Sequence, residues 1–206
     1  MSGAFPISSA AFETMGIQSK QNTIISKSLS GKKLSRQIDN QRFAFTARII
    51  VGTRSDIYGE LMAFIIKQRS AKENFTIIPP EVEDARGVET GTLAVNGSHT
   101  SGDTTIAIDG FAADTANRLR TGDFIKFNGH TKVYMVVADV TSSSGAATVT
   151  IEPPLVSNLS NDEAVSYDNI PFTVHLTNDI QEFGVVGADK DGNLLYQFEF
   201  DVEESL

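Results

Sequence analysis

The three histidines, His99, His130 and His175, are the side chains best suited to metal binding or acid–base chemistry. The predicted elements place them on a loop, a hairpin turn and a strand, so no pair has the spacing of metal ligands on one helix or hairpin. His130 directly follows an Asn-Gly turn, and His175 lies in an alternating strand, where we expect it to face solvent. We therefore expect surface or core histidines with no catalytic role.

Carboxylates form three small clusters. Residues 189–193 (DKDGN) resemble the start of a calcium loop, but predicted strands flank them and the later Glu of an EF-hand is missing, so a tight turn explains them better. Residues 81–84 (EVED) and the pair Glu203 and Glu204 contain neighbouring carboxylates of the kind that hydrolases use as general acid and base. They lie in a predicted linker and at the chain end, so we expect solvated charge.

Three aromatic side chains between residues 121 and 137, Phe124, Phe127 and Tyr134, are candidates for stacking on nucleic-acid bases. They alternate at the spacing of a barrel core, and the surrounding segment is acidic, so core packing is favoured. A carbohydrate surface needs no positive charge and stays open for the loops of this segment.

The sequence contains none of the common catalytic motifs. It has no Gly-rich phosphate loop, nucleophile elbow or triad spacing, and no cysteine. We therefore predict that the chain is not an enzyme and has no catalytic, cofactor-binding or metal-binding residues.

Composition indicates a folded protein, with 206 residues, 40% hydrophobic and 21% charged, enough for one large domain or two small ones. The net charge is −9, of which −6 falls on residues 89–168. A surface of that sign repels phosphate backbones, so we expect no nucleic-acid partner. No apolar run approaches a membrane span and no signal peptide is apparent, so we expect a soluble protein made in a cytosol.

The sequence pattern of the first part of the chain predicts a small unit of β-strands with one α-helix. Residues 1–19 show no sustained period and are expected to form an arm that docks on a neighbour. Strands are predicted at 20–29 and 41–52, joined through a turn at 30–33 as a meander, followed by a helix at 54–70 capped by Thr53 or Ser55 and a short strand at 73–78. An acidic linker then follows.

The middle of the chain predicts a small β-barrel like an OB-fold. Five short strands are expected at 93–95, 104–108, 124–127, 132–138 and 147–151, with a short helix at 112–119. After it, strands at 170–176, 181–186 and 194–202 need pairing partners. We therefore predict a mainly β (α+β) fold: a split sheet domain with one helix, residues 1–88 plus 169–206, interrupted by an inserted barrel, residues 89–168.

With this layout, the sequence resembles the distal tail proteins of long-tailed siphophages. The resemblance rests on the order of the parts, on the hairpin LRTGDFIKFNGHTKVYMV and on the acidic ending FEFDVEESL. It covers nearly the whole chain apart from about the first 20 residues. It implies a tail-tube type of fold for the split domain and an OB-like domain on its outside.

The resemblance also implies a virion structural protein: a hexameric ring that surrounds the DNA channel and connects the tail tube to the tail tip or baseplate. Its partners would be itself, the tail tube protein and the tip or hub proteins, and it would assemble in the bacterial host cytoplasm. Our first choice for the segments that make the ring contacts is the N-terminal arm and residues 194–202. The alternatives are a carbohydrate-binding module that attaches the barrel to host-surface glycans, and a hydrolase of unknown type.

Overall fold

A computed structural model describes residues 3–206, and it is mainly β with one α-helix. The chain divides into two compact units. The first unit runs to Phe75 and resumes at Val174–Ser205, and the second is Thr76–Thr173. The predicted class, a β protein with one helix and a small barrel, is confirmed.

The structure has one α-helix among the described residues, α1, Gly59–Lys67. The strands, in chain order, are β1 Phe12–Lys20, β2 Thr23–Lys27, β3 Lys33–Gln37, β4 Arg42–Ile49, β5 Gly52–Thr53, β6 Phe75–Ile77, β7 Leu93–Val95, β8 Thr105–Asp109, β9 Phe124–Phe127, β10 Val133–Val136, β11 Ala146–Glu152, β12 Ala164–Ser166, β13 Phe172–Leu176, β14 Phe183–Ala188 and β15 Leu194–Glu204.

The main sheet is built around β15, the last strand of the chain. The strand order is β1-β4-β15-β13-β6, and β5 and β14 also pair with β15. β15 alternates apolar and polar residues, so Phe198, Phe200 and Val202 are buried on one face of the sheet. The strand therefore joins the two segments of the first unit through both its edges.

The N-terminal residues belong to this unit and are not a free arm. Residues 12–20 form β1, which pairs antiparallel with β4. Phe5 is 9% exposed, and its ring centroid lies 5.4 Å from that of Phe200, 5.6 Å from that of Phe12 and 5.8 Å from that of Phe64. The expected arm at 1–19 is therefore wrong for the described residues, because Phe5 finds an aromatic site in its own unit.

The predicted meander between 20–29 and 41–52 is also wrong. β2 pairs instead with β3, a strand the sequence analysis missed, while β4 pairs with β1 and β15. The turn explains the hairpin: the Ser28 carbonyl accepts from the Gly31 amide, the Ser28 hydroxyl accepts from the Lys32 amide, and Gly31 has a φ of +80°. The chain reverses there before it can reach β4.

The helix is shorter than predicted, because the first part of 54–70 is a π-helical turn, Arg54–Tyr58. The Thr53 cap is confirmed, since its hydroxyl accepts from the Asp56 amide at 3.3 Å. Leu61 and Ile65, four positions apart, are buried on one face of the helix. No helix within residues 3–206 has the length and apolar character needed to cross a membrane.

The second unit contains a closed barrel with the strand order β10-β11-β8-β7-β12-β9. Closure depends on β12, a sixth strand that the sequence analysis missed, which pairs with both β7 and β9. The interior is filled by aliphatic and aromatic side chains, including Val95, Ile106, Ile125, Phe127, Tyr134, Val149 and Ile151. The barrel interior is therefore a hydrophobic core filled by side chains.

The helix predicted at 112–119 is wrong, because the local backbone is bonded to other parts of the barrel. The Ala112 amide donates to the Glu89 carboxylate, and the Ala113 carbonyl accepts from the Ser142 hydroxyl. Asn117 has a φ of +60°, a left-handed conformation that interrupts a helix.

We predict that Phe5→Ala lowers the free energy of unfolding of the first unit by about 3 kcal/mol, because it leaves a cavity among aromatic rings. Leu29→Ala is the matched control, since Leu29 is fully exposed and its loss should cost under about 0.5 kcal/mol. Urea unfolding followed by circular dichroism measures both. Equal stability of the two variants would show that Phe5 does not hold the N-terminal residues in the core.

Candidate functional site

The histidines do not come together. His130 is buried, with Nδ1 3.0 Å from the Tyr134 hydroxyl and Nε2 2.9 Å from the Ser157 hydroxyl. His99 Nε2 accepts from the Ala107 amide at 3.2 Å. These two rings fasten loops to the barrel, and His130 is one of its buried residues. Among residues 3–206, no three His, Asp or Glu side chains form a group that could hold a metal ion.

His175 lies next to the pair of glutamates at the chain end, on β13 opposite Glu203 of β15. His175 shares the face of Glu203, opposite to that of the buried Val174 and Leu176, as the alternation predicts. Its ring is partly buried there; burial lowers the pKa of His175, and Nδ1 lies 2.7 Å from the Ser205 hydroxyl. β15 extends two residues beyond the predicted strand end, which brings Glu203 opposite His175.

Glu203 and Glu204 are not the solvated pair that we expected. Glu203 accepts from Lys20 Nζ at 2.9 Å and Arg42 Nη1 at 3.4 Å, and the bond from Lys20 lowers the pKa of Glu203. Glu204 points to the other face, is fully buried and accepts from the Phe43 amide at 3.1 Å. Alternation along β15 separates the two carboxylates, so they cannot act as a catalytic pair.

The other two carboxylate clusters have structural explanations. Asp189 Oδ1 accepts from the amides of Asp191 and Asn193, while its Oδ2 accepts from the Asn193 side chain. The Asn193 side chain lowers the pKa of Asp189 in this turn. Glu81 and Asp84 are exposed. Residues 189–193 are thus the hairpin turn between β14 and β15 that the sequence predicts.

The aromatic residues considered for base stacking are in the barrel interior or beneath it. Phe127 and Tyr134 are fully buried and 5.4 Å apart by ring centroids, and Phe124 is 6% exposed against Phe172. Their π faces therefore contact other side chains instead of solvent. The prediction that they are core residues is confirmed.

The barrel holds a buried ion pair that the sequence analysis missed. Arg118 Nε donates to Glu89 Oε2 at 2.6 Å, and the two side chains are 6% and 0% exposed. The other Glu89 oxygen, Oε1, accepts from the amides of Thr90, Gly91 and Ala112. The pair fastens the entry of the chain into the barrel to the segment before β9. The spacing of the two residues in the sequence gives no sign of this ion pair, because 29 positions separate them. Only the folded structure brings them together.

The ionisation of Glu89 is controlled by two opposed effects. Burial disfavours the charged form, while the hydrogen bonds from Arg118 and from the three amides favour it and outweigh burial, which lowers the pKa of Glu89 to about 2. The carboxylate is therefore charged at neutral pH. It stabilises the barrel by organising four donors around one side chain.

Two elements of the first unit each carry several of its exposed apolar side chains. One is the β2–β3 hairpin, residues 23–37, in which all ten strand residues are exposed. The other is β14, which pairs with β15 and exposes Val185 and Val186 at 53% each. A shallow groove beside β14 is lined by Arg48, Glu182, Gly184, Val186, Gln197 and Glu199. These features are open surfaces and not an enclosed pocket.

The fold defines an architecture: a β-sheet unit whose two segments lie on either side of a small closed barrel in the chain. Residues 85–170 match the family model described as distal tail protein pb9, B domain. This segment spans the whole barrel, and the resemblance to siphophage distal tail proteins that the sequence suggested is confirmed. The match points to a structural component of a phage tail. No match to the chain was found among curated proteins.

We predict that Glu89→Gln lowers the free energy of unfolding of the barrel by about 3 kcal/mol at pH 7, because Arg118 is left buried without its carboxylate. Glu152→Gln, an exposed glutamate on β11, is the matched control and should change stability by under about 0.5 kcal/mol. Urea unfolding followed by circular dichroism measures both.

The pH dependence gives a second readout of the same pair. The pKa of Glu89 is lower in the folded barrel than its ordinary value of 4.5, so its stabilisation is complete above that value and is lost as the pH falls towards about 2. Repeating the unfolding between pH 5 and about 2 should show a steeper loss for the wild-type barrel than for Glu89→Gln. Parallel pH profiles would contradict the role of Glu89.

Proposed function

We propose that the chain is a virion structural protein of a phage tail, which forms a hexameric ring that connects the distal end of the tail tube to the tail tip or baseplate and surrounds the DNA channel. The observation that carries the proposal is the match of the inserted barrel, residues 85–170, to the B domain of a distal tail protein. A closed barrel has no free strand edges, so it can decorate an assembly without polymerising through its sheet.

In this proposal the residues on either side of the barrel make the ring. Residues 1–88 and 169–206 are the ring-forming domain with a tail-tube-like fold, and residues 89–168 are the OB-like domain on the outside. The exposed apolar side chains on the β2–β3 hairpin and on β14 support this division, because they lie in the first unit.

Residues 194–202 cannot form a ring contact through an unpaired strand edge. β15 pairs with β4 and β5 and also with β13 and β14, so its backbone groups are already used within the chain. β1 lies at one end of the strand order, and β14 pairs with β15. We propose these two strands as the edges available to a neighbouring copy.

The negative charge of the chain is consistent with a channel through which DNA passes without binding to the protein. A net charge of −9 repels phosphates, and the barrel aromatics that might stack on bases are buried. A glycan site on the barrel would have to use its loops, since these same rings are unavailable to a sugar. The proposed partners are therefore further copies of the chain, the tail tube protein and the tip or hub proteins, with a structural and not a catalytic role.

Localisation follows from this role. The protein would assemble in the cytoplasm of the bacterial host and end at the tail tip of the virion. Immunogold labelling of phage particles that encode this chain should mark one end of the tail, at the tip, and label spread along the tail would contradict a distal ring.

We predict that the purified chain forms particles of about 134 kDa, six times its mass of 22.3 kDa, as its concentration rises. Light scattering over a concentration series measures the mass, and negative-stain imaging should show a central hole. The hole is the decisive feature, because compact aggregates of the same mass would lack it. A mass that stays at 22.3 kDa throughout the series would contradict a ring that forms from this chain alone.

A further inference from the structure

The barrel contains both Asn-Gly dipeptides of the chain, Asn96-Gly97 and Asn128-Gly129. Each directly follows a barrel strand, β7 or β9, and both asparagines are exposed. Asparagine before glycine is prone to spontaneous deamidation, because glycine has no side chain to hinder the approach of its backbone nitrogen to the asparagine side chain. The two turns are therefore positions of chemical vulnerability in an otherwise packed barrel.

Deamidation is an attack by a backbone group on the preceding side chain. The glycine amide nitrogen loses its proton and forms a bond to the carbonyl carbon of the asparagine side chain. The bond from that carbon to Nδ2 breaks, so ammonia leaves and a cyclic imide remains. Water then opens the imide to aspartate or isoaspartate. The reaction therefore needs a glycine amide that can lose its proton and turn towards the asparagine side chain.

Both glycine amides are held by side chains of one short segment, residues 161–163. The Gly97 amide donates to Asn161 Oδ1 at 2.6 Å. The Gly129 amide donates to Glu163 Oε1 at 2.8 Å. The other oxygen of this carboxylate, Oε2, accepts from the Ser160 amide at 3.3 Å, which helps to orient it. Each nucleophilic nitrogen of the two turns thus has its own side-chain acceptor.

The position of β12 in the barrel explains how one segment reaches both turns. β12 is antiparallel to β7 and to β9, so the residues before β12 lie where those two strands end. Backbone bonds hold the segment on each side. The Asp162 amide donates to the Val95 carbonyl at 2.9 Å. The Asn128 amide donates to the Ala164 carbonyl at 3.0 Å. Closure of the barrel therefore fixes residues 161–163 beside both glycines.

We propose that the two Asn-Gly turns are deamidation sites and that Asn161 and Glu163 keep them latent in the folded barrel. A hydrogen bond from the glycine N–H favours the protonated nitrogen and fixes the orientation of the amide, and both effects oppose the attack. At Gly129 the carboxylate adds a third effect, because its negative charge repels an amide anion. The inference does not depend on the proposed ring.

The products explain why such protection matters for this fold. Isoaspartate adds one carbon to the backbone path, and either product introduces a carboxylate into the turn. At position 128 this change falls directly after β9, whose pairing with β12 closes the barrel. Deamidation there would disturb the register on which closure depends.

Peptide mass spectrometry measures the conversion at each turn separately. Folded wild type and the same chain unfolded in urea are incubated at mildly alkaline pH, and isoaspartate is identified with an isoaspartate methyltransferase. We expect both turns to react more slowly in the folded chain. Asn161→Ala should speed the conversion of Asn96 about fivefold. Glu163→Ala should speed that of Asn128 about tenfold, because a charged acceptor makes the stronger bond.

The controls separate protection from a general loosening of the barrel. Each of the two variants should leave the other turn at the wild-type rate, so every protein contains its own reference. Asn158→Ala is the matched control, because the Asn158 side chain accepts from the Ser101 amide at 2.9 Å and should affect neither turn. Glu163→Gln keeps an acceptor oxygen without the charge and should give an intermediate rate. It replaces Glu163→Ala if thermal unfolding shows that the alanine variant is destabilised.

Three outcomes would overturn the inference. Folded wild type that deamidates as fast as the urea-unfolded chain would show that the hydrogen bonds do not protect. Slower conversion of Asn128 in Glu163→Ala would make the carboxylate a general base that promotes the attack. Equal acceleration of both turns in each variant would assign the effect to loosening of the barrel and not to the individual acceptors.

Discussion

The first unit depends on a single constraint: both edges of β15 must be paired. β15 is the last strand of the chain, and its neighbours β4 and β5 come from the N-terminal segment, while β13 and β14 come from the C-terminal segment. Backbone groups of a central strand cannot be left unpaired in the interior without a large cost. The unit can therefore form only when both segments are present, however many residues lie between them.

This constraint explains why a barrel can be inserted between the two segments. Lengthening the connection between two segments adds only a small entropic cost of closure, which is less than the free energy gained when the segments pair. The cost is smaller still when the connection is itself folded. The barrel meets that condition because its six strands close on one another and its core contains its own aliphatic residues. The buried pair of Glu89 and Arg118 fixes the chain where it enters, so the insertion begins in a defined conformation.

The sequence predicts most elements because the alternation of β4, β15 and the barrel strands is strong and local. It also predicts the Thr53 cap and the turn at 189–193, which depend on neighbouring residues only. It fails where the deciding contact is distant. β12 has three residues and becomes a strand only between β7 and β9, and Phe5 enters the core only because Phe64 and Phe200 surround it.

The same limit applies to the functional residues. Glu203 and Glu204 are adjacent in sequence, but one is paired with Lys20 and Arg42 on the sheet surface and the other is buried beside Phe43. Glu89 and Arg118 form an ion pair although 29 positions separate them. Charged side chains have no periodic signature of their own, so their partners are determined by the completed fold.

Charge finally limits how copies of this chain can meet. Each copy has a net charge of −9, so two copies brought together through their average surfaces repel each other, and an interface must contain a local exception. Residues 23–37 are such an exception, with basic and apolar side chains on a hairpin whose strand residues are all exposed.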